Sequence, residues 1–382
     1  MNIQLVQDFD SFVALRTAWN KLLSRSSADT IFLTWEWLVS WWESYAAKNE
    51  LHIIAVREDN GELVGILPLY RQMRSWFFYR PIRSLRFIGD GSWDSDYLDA
   101  ILLSGREAEV LNCVWKWLDS KRASWDLLEL VSIPETSPCY AWLKCKAEDT
   151  QIISRSENIP CLVIELPESW DDYLASLKPR FRTKVRSTLR EIHAQHEVRF
   201  KRVETQTDLQ SRLEILYDLH AKRWESKGAE GVFRKKEKRH FYETFAARFL
   251  SQGWLAFDFL ELDGNPVACQ MCFKYRGTQF LLQEGFDPEF SVESVGIALR
   301  TMVLKKAIDE GVRRYDFLAG GGRHKTQWCA SAKNCRTIYL GRRSIASLWS
   351  VKVPSTMESW RERLKSVLPA KAIELRRRLA SS

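Results

Sequence analysis

The chain has 382 residues, of which 45% are hydrophobic and 12% aromatic, including 17 tryptophans. This composition excludes an intrinsically disordered protein, and the length predicts two domains of ordinary size. Lysine and arginine outnumber aspartate and glutamate by 57 to 49, a formal net charge of +8 that favours anionic partners. No apolar run reaches the roughly 20 residues that cross a bilayer, and the first residues show no apolar leader, so we expect a cytoplasmic protein.

The first half begins with two helices and a hairpin. Apolar spacing predicts helices over Ser11–Ser24 and Thr34–Tyr45, the second with Thr34 as its N-cap. The sequence LHIIAVREDNGELVGILPLY is two apolar strands joined by an Asn-Gly turn, which predicts a hairpin around Gly61. The elements predicted after it are a strand over Leu85–Gly89, a helix over Glu107–Lys121 and a short strand carrying Asp126.

The second half repeats this order. Helices are predicted over Thr207–Ser226, with Thr207 as N-cap, and over Lys236–Leu250, followed by an Asp-Gly hairpin around Gly264. The remaining elements are a strand over Gln279–Phe286, a helix over Ser294–Glu310 and a short strand carrying Asp316. The repetition predicts two copies of one α/β unit. We expect domain 1 to span residues 1–154, domain 2 residues 155–343, and a basic helical tail residues 344–382.

The start of the helix over Ser294–Glu310 is suited to an anion. The first turn of a helix carries unpaired N–H groups and the positive end of a dipole, and Gly296 and Ala298 would let a phosphate approach this backbone closely. The first half has Glu107 and Glu109 at the corresponding place. Those carboxylates would repel a phosphate, so we expect only the second half to bind one.

Three segments of the second half, in this order, resemble the CelD-like acetyltransferase family, a GNAT branch related to the FemAB tandem-GNAT transferases. They are LHAKRWESKGAEGVF, GFDPEFSVESVGIAL and DFLAGGGRHKTQW. The resemblance implies an α/β (α+β) fold of tandem GNAT-like domains, each a mixed, largely antiparallel sheet flanked by helices, with the N-terminal domain degenerate. It also implies acyl-CoA, in the simplest case acetyl-CoA, as co-substrate. The residues that would contact the coenzyme are Gly296, Ile297, Ala298 and Lys325.

Acyl transfer to an amine needs a group that takes a proton and donors for the thioester oxygen. The resemblance places those donors on the backbone near Gln283–Phe286. Candidate bases are Glu284, Asp316 and His220; the alternatives are a solvent-facing glutamate, a turn-capping aspartate and a core histidine. The residues predicted to bind the substrate are Arg223, Trp224, His324 and Trp328.

The leading hypothesis is therefore an acyltransferase acting on a small or saccharide-linked acceptor, in a cellulose or exopolysaccharide context. One alternative is a FemAB-like aminoacyl-tRNA-dependent transferase, for which the basic run KPRFRTKVRSTLR would contact RNA. Another is a non-catalytic adaptor that docks through its basic tail on a polysaccharide synthase or peripherally on the inner membrane. The eight cysteines lack the spacing of a zinc site, so we expect no metal.

Overall fold

A computed structural model describes residues 1–352, apart from residues 48, 77–78, 122–123, 227, 321, 343, 345–346 and 349. The predicted tail, residues 344–382, lies almost entirely outside the described residues, and with it the predicted contact with a membrane or a synthase. Within the described part of the chain, no helix is long and apolar enough to span a bilayer.

Five α-helices and eight strands lie in the described residues of the first half. The helices are α1 (Phe9–Ala14), α2 (Arg16–Leu23), α3 (Trp35–Tyr45), α4 (Glu107–Ser120) and α5 (Pro138–Lys146). The strands are β1 (Asn2–Val6), β2 (Glu50–Leu51), β3 (Ile53–Arg57), β4 (Leu63–Leu67), β5 (Leu69–Trp76), β6 (Tyr79–Phe87), β7 (Ile101–Leu102) and β8 (Leu127–Pro134). The N-cap at Thr34 is confirmed, since its side chain accepts a hydrogen bond from the Trp37 amide. The helix predicted over Ser11–Ser24 is instead two helices that meet at Leu15.

The second half has the predicted order of elements, with further helices and strands at both ends. Its helices are α6 (Trp170–Ser176), α7 (Pro179–Gln195), α8 (Gln206–Glu225), α9 (Lys236–Ser251), α10 (Val295–Asp309) and α11 (Arg323–Thr326). Its strands are β9 (Ile152–Glu165), β10 (Val198–Arg202), β11 (Leu255–Leu262), β12 (Asn265–Tyr275), β13 (Thr278–Phe286), β14 (Arg314–Ala319) and β15 (Ser331–Arg342). The predicted N-cap at Thr207 was wrong. The extended residue before the helix is Thr205, whose side chain accepts from the Asp208 amide.

Two sheets hold these strands. A four-stranded sheet has the order β1-β3-β4-β7, and an eleven-stranded sheet has the order β10-β11-β12-β13-β14-β9-β15-β8-β6-β5-β2. Strand β15 lies between β9 and β8 and is antiparallel to both. The large sheet thus continues from one half to the other, and the predicted boundary after residue 154 falls inside β9. The division into two domains stays a prediction.

An aromatic cluster also joins the halves. Trp37 of α3 is fully buried, and its ring centroid lies 4.9 Å from that of Phe241 and 5.0 Å from that of Phe245, both on α9. It also contacts Phe273 of β12 at 5.5 Å. Buried aromatic pairs of this kind contribute roughly 0.5–1.5 kcal/mol each beyond their buried area. The first half is therefore packed onto the second as part of one core.

The strands β13 and β14 part from each other. They pair in parallel only where Thr278–Phe280 lie beside Arg314–Asp316. Beyond that point β14 continues to pair with β9, while β13 continues to pair with β12. Strand β13 has one extra residue there, Leu282, which has no pairing partner on β12. Bulges of this kind bend a strand and end its pairing. A gap therefore opens between β13 and β14, on the face that α10 covers.

Candidate active site

The start of α10 has backbone N–H groups without intrahelical acceptors. The amides of Ile297 and Ala298 donate to the Ser294 carbonyl at 2.8 and 3.1 Å, which leaves the N–H groups of Val295 and Gly296 ahead of the first intrahelical bonds. A methyl group added at Gly296 would have Phe286 as its nearest neighbour, at 4.0 Å. The backbone at this position is therefore open to a ligand.

A cavity of about 260 Å³ lies at this helix start, against the ends of β12 and β13. Of the predicted coenzyme contacts, Gly296 and Ile297 line it, whereas the Ala298 side chain is fully buried in the core beneath the helix. Polar and charged side chains that line the cavity are Arg223, Gln270, Glu284, Ser291, Ser294, Arg300 and Gln327.

Glu284 lies in this cavity between two arginines. Its carboxylate pairs with Arg223 of α8 at 3.1 Å and with Arg300 of α10. Arg223 also donates to the Glu284 carbonyl at 3.2 Å, so it reaches over the free edge of β13. Glu284 is one fifth exposed rather than solvent-facing. Two guanidinium groups therefore face a single carboxylate in this cavity.

The arginines give the cavity an excess of positive charge. The Nε atoms of Arg223 and Arg300 are buried and have no hydrogen-bond partner, and Arg300 has only 7% of its side chain exposed. The guanidinium of Arg300 lies 5.1 Å from the Phe317 ring of β14, so it crosses the gap between the parted strands. Buried donors without acceptors cost about 1–3 kcal/mol each, and an anionic ligand would satisfy them.

Asp316 is placed away from this cavity. It is 4% exposed, accepts from the Tyr97 hydroxyl and from the Leu318 amide, both at 2.7 Å, and lines a separate cavity of about 160 Å³. Burial raises the pKa of its carboxyl to about 6. The bond to Leu318 is the turn-capping contact that was the alternative to a catalytic role.

His220 lies in an aromatic core. It is 2% exposed, and its ring centroid is 4.9 Å from that of Phe233 and 5.9 Å from that of Trp224. Burial, with smaller contributions from Arg223 and Lys238, lowers the pKa of this imidazole to about 4. It is therefore neutral at pH 7 and a weak base, whereas Trp224 is 37% exposed at the surface beside it.

The residues after β14 contribute to structure more than to the cavity wall. Lys325 donates through Nζ to the carbonyls of Phe317 and Ala319, at 2.9 and 3.0 Å, and is not among the cavity residues. Trp328 is fully buried and packs edge-on against Phe181 of α7, with centroids 4.9 Å apart. The backbone of His324 belongs to α11, but its side chain lies outside what the structure describes.

Sequence reasoning missed Arg300 and Trp93. An arginine four residues after Gly296 lies on the same helix face, so its position in the apolar run VGIALRTMVL was the available signal. Trp93 is 97% exposed and has a left-handed backbone with φ of 63°. Ser92 and Asp94 on either side of it both accept from Lys238 of α9. This strained backbone and full exposure make Trp93 a candidate for ligand binding.

Among the described residues, no three histidine, cysteine or carboxylate side chains are grouped so that they could hold a metal ion. The cysteines are all free thiols.

Comparison with known proteins identifies the family of the segment that carries this cavity. Residues 179–326, from the start of α7 to the end of α11, match the family model described as acetyltransferase (GNAT) domain. The chain contains a GNAT acetyltransferase domain. It is accordingly a GNAT-type acyltransferase, as predicted. The match does not single out the CelD-like branch, which stays a prediction. No curated protein matches the chain.

Solved structures confirm the fold class. FemX aligns with a TM-score of 0.61 at 12% identity, over 92% of this chain and 100% of its own. A tandem GNAT protein from the clavulanic acid biosynthesis pathway aligns with a TM-score of 0.51 at 12% identity, over 90% of this chain and 99% of its own. A conserved protein of unknown function from Bacteroides thetaiotaomicron VPI-5482 aligns with a TM-score of 0.57 at 12% identity, over 89% of this chain and 100% of its own. At these identities the likeness concerns the fold, which is that of tandem GNAT domains.

Proposed function

We propose that the protein transfers an acyl group from acyl-CoA, in the simplest case acetyl-CoA, to an amine or hydroxyl of a small or saccharide-linked acceptor. The observation that carries this proposal is the start of α10, where Gly296 lines a cavity against the end of β13. A diphosphate would bind the free amides at the helix start, and the pantetheine arm would enter the gap. The positive charge of Arg223 and Arg300 favours the same anionic donor.

The chemistry follows from this placement. The acceptor nitrogen or oxygen attacks the thioester carbon, the C–S bond breaks, and the coenzyme leaves as a thiolate that takes up a proton. Backbone N–H groups near Gln283 would donate to the thioester oxygen as it gains charge, a contribution typically worth about 3–4 kcal/mol. Of the three predicted bases only Glu284 lines the cavity, so we assign proton removal to it, directly or through water.

The acceptor would bind on the α8 side of β13. Arg223 and the exposed Trp224 lie there. The aromatic face of Trp224 could stack on a sugar ring, and the guanidinium of Arg223 could bind an anionic acceptor. The sequence resemblance supports a saccharide-linked acceptor in cellulose or exopolysaccharide biosynthesis.

Substitutions at Gly296 test the coenzyme site. Gly296→Ala adds one methyl group where there is room, whereas Gly296→Glu places a carboxylate at the diphosphate position. Acetyl-CoA at a hundred times its Kd stabilises a folded protein by about 2.7 kcal/mol. We expect the melting temperature of the wild type and of Gly296→Ala to rise with acetyl-CoA, and that of Gly296→Glu to stay constant. If the wild type does not respond, or if Gly296→Glu responds equally, the proposal is wrong.

A second candidate, aminoacyl transfer from tRNA, is favoured by the surface of α7. Arg180, Lys184, Arg186 and Arg190 are exposed, and within the described part of the chain none of them has a carboxylate partner. Phe181 on the same helix packs against Trp328, whose ring lies 5.9 Å from the Arg300 guanidinium, so the basic helix begins beside the cavity. Binding of tRNA that weakens steeply with salt, and that is lost when the four cations are replaced by glutamine, would favour this function over acyl-CoA.

A further inference from the structure

The strand β14 is bent where it leaves β13. Asp316 pairs with Val163 of β9, and the next pair joins Ala319 to Cys161, so Phe317 and Leu318 stand opposite a single residue. Leu318 has a φ of 59°, in the left-handed region that bulky residues rarely adopt. Such a conformation costs of order 1–3 kcal/mol and persists only where the surroundings hold it. The bend, which directly follows the last pair between β13 and β14, therefore needs support from surrounding residues.

Two residues of the first half provide that support. Asp96 accepts a hydrogen bond from the Ala319 amide at 2.8 Å. Tyr97 donates from its hydroxyl to Asp316 at 2.7 Å, and the other oxygen of Asp316 accepts from the Leu318 amide at 2.7 Å. The backbone amides on both sides of the bend are thus held, one directly and one through Asp316, by a loop between β6 and β7.

This loop is itself fixed. The second oxygen of Asp96 accepts from the Ser132 hydroxyl of β8 at 2.8 Å, and Asp96 is 8% exposed. The ring of Tyr97 lies 6.4 Å from both Phe32 and Phe280. On the opposite side of the bend, Lys325 donates hydrogen bonds from Nζ to the carbonyls of Phe317 and Ala319. At the bend, the Ala319 amide thus has a partner in the first half, and the Leu318 amide has one in Asp316, which Tyr97 of the first half holds in turn.

We propose that Asp96 and Tyr97 are positioning residues that set the separation of β13 from β14, and hence the width of the gap that receives the acyl donor. The first half then helps to shape the donor site, instead of only packing beside it. This inference rests on the proposed function, because it assigns the gap to the arm of acyl-CoA.

The test uses the full chain with three variants. Asp96→Ala removes the acceptor of the Ala319 amide. Asp96→Asn keeps an acceptor of the same shape, and since burial already raises the pKa of Asp96, the amide is a close replacement. The matched control is Asp94→Ala, because Asp94 belongs to the same loop, is 4% exposed and also joins the halves, through Lys238 and Tyr242, but makes no bond to β14.

Two measurements separate the outcomes. Hydrogen exchange of the Ala319 amide, without ligand, should be at least tenfold faster in Asp96→Ala than in the wild type and close to wild type in Asp96→Asn. The Kd for acetyl-CoA should rise at least tenfold in Asp96→Ala, stay within twofold in Asp96→Asn, and stay within threefold in Asp94→Ala despite a comparable loss of melting temperature.

Faster exchange with an unchanged Kd in Asp96→Ala would overturn this inference alone, since the bend would then not control the donor site. Equal weakening of acetyl-CoA binding by Asp94→Ala would also overturn it, because general loosening of the loop would explain the effect. A wild type that does not bind acetyl-CoA at all would overturn the proposed function, and the exchange data would still show whether Asp96 holds the bend.

Discussion

Replacing Glu284 by glutamine tests the ion pairs in the cavity and the catalytic assignment together. The substitution leaves Arg300, with 7% of its side chain exposed, without a counter-charge. Removing one partner of a buried ion pair typically costs about 3–5 kcal/mol, because the other charge stays buried and uncompensated. Glu284 is 21% exposed and glutamine keeps one oxygen acceptor, so we expect Glu284→Gln to lower the free energy of unfolding by about 2–3 kcal/mol.

The assay is urea unfolding followed by tryptophan fluorescence, with kcat and KM measured on the same samples. In the double variant Glu284→Gln/Arg300→Met the charge of Arg223, which is 16% exposed, remains, so the stability should recover in part and the double-mutant cycle should give a coupling energy of about 2 kcal/mol. Glu289→Gln is the control, since Glu289 is exposed in the loop that follows β13. If Glu284 acted only as a base, kcat would fall by about 10²–10⁴ with normal stability. Stability of Glu284→Gln within about 0.5 kcal/mol of the wild type would refute the ion-pair reasoning.

Three further substitutions test other parts of the structure. The unfolded pKa of His220 is about 6.5 and the folded pKa is about 4, so its protonation favours unfolding as the pH falls below 6.5. The wild type should therefore lose about 2 kcal/mol of unfolding free energy between pH 7 and pH 5, measured from urea midpoints, and His220→Phe should abolish this loss. The same substitution should leave kcat within about threefold, whereas a collapse of kcat alone would restore the catalytic role. Trp93→Ala should raise the acceptor KM without changing the donor KM or the melting temperature, since Trp93 is 97% exposed; an unchanged acceptor KM would remove its binding role. Thr34→Ala should cost about 1–2 kcal/mol in the same unfolding assay, because it leaves the Trp37 amide without its acceptor and removes one of the two donors to the Ile31 carbonyl. Ser24→Ala at an exposed helix end is the control expected to be near neutral.

Local chemistry in the sequence determined most of the elements. The Asn-Gly and Asp-Gly turns placed both hairpins, because left-handed turn positions favour these residues wherever they occur. The glycine at the start of α10 pointed to the proposed anion site for the same reason, since the need for close backbone approach is a property of a few consecutive residues. The structure has Gly296 lining the cavity as expected, and the repeated order of elements matches tandem GNAT folds.

Only the tertiary structure decided which side chains share the site. Glu284 and Asp316 stand on neighbouring strands, yet they line different cavities, because the bulge of β13 lies before Glu284 and changes the face that local alternation would give it. Lys325 was expected to contact a phosphate, but its Nζ instead donates to the carbonyls of Phe317 and Ala319 at the bend. The sequence alone did not reveal that Asp96, some 220 positions before Ala319, supports this bend. Pairings between residues so far apart depend on how the whole sheet is assembled, and no local pattern in the chain records them.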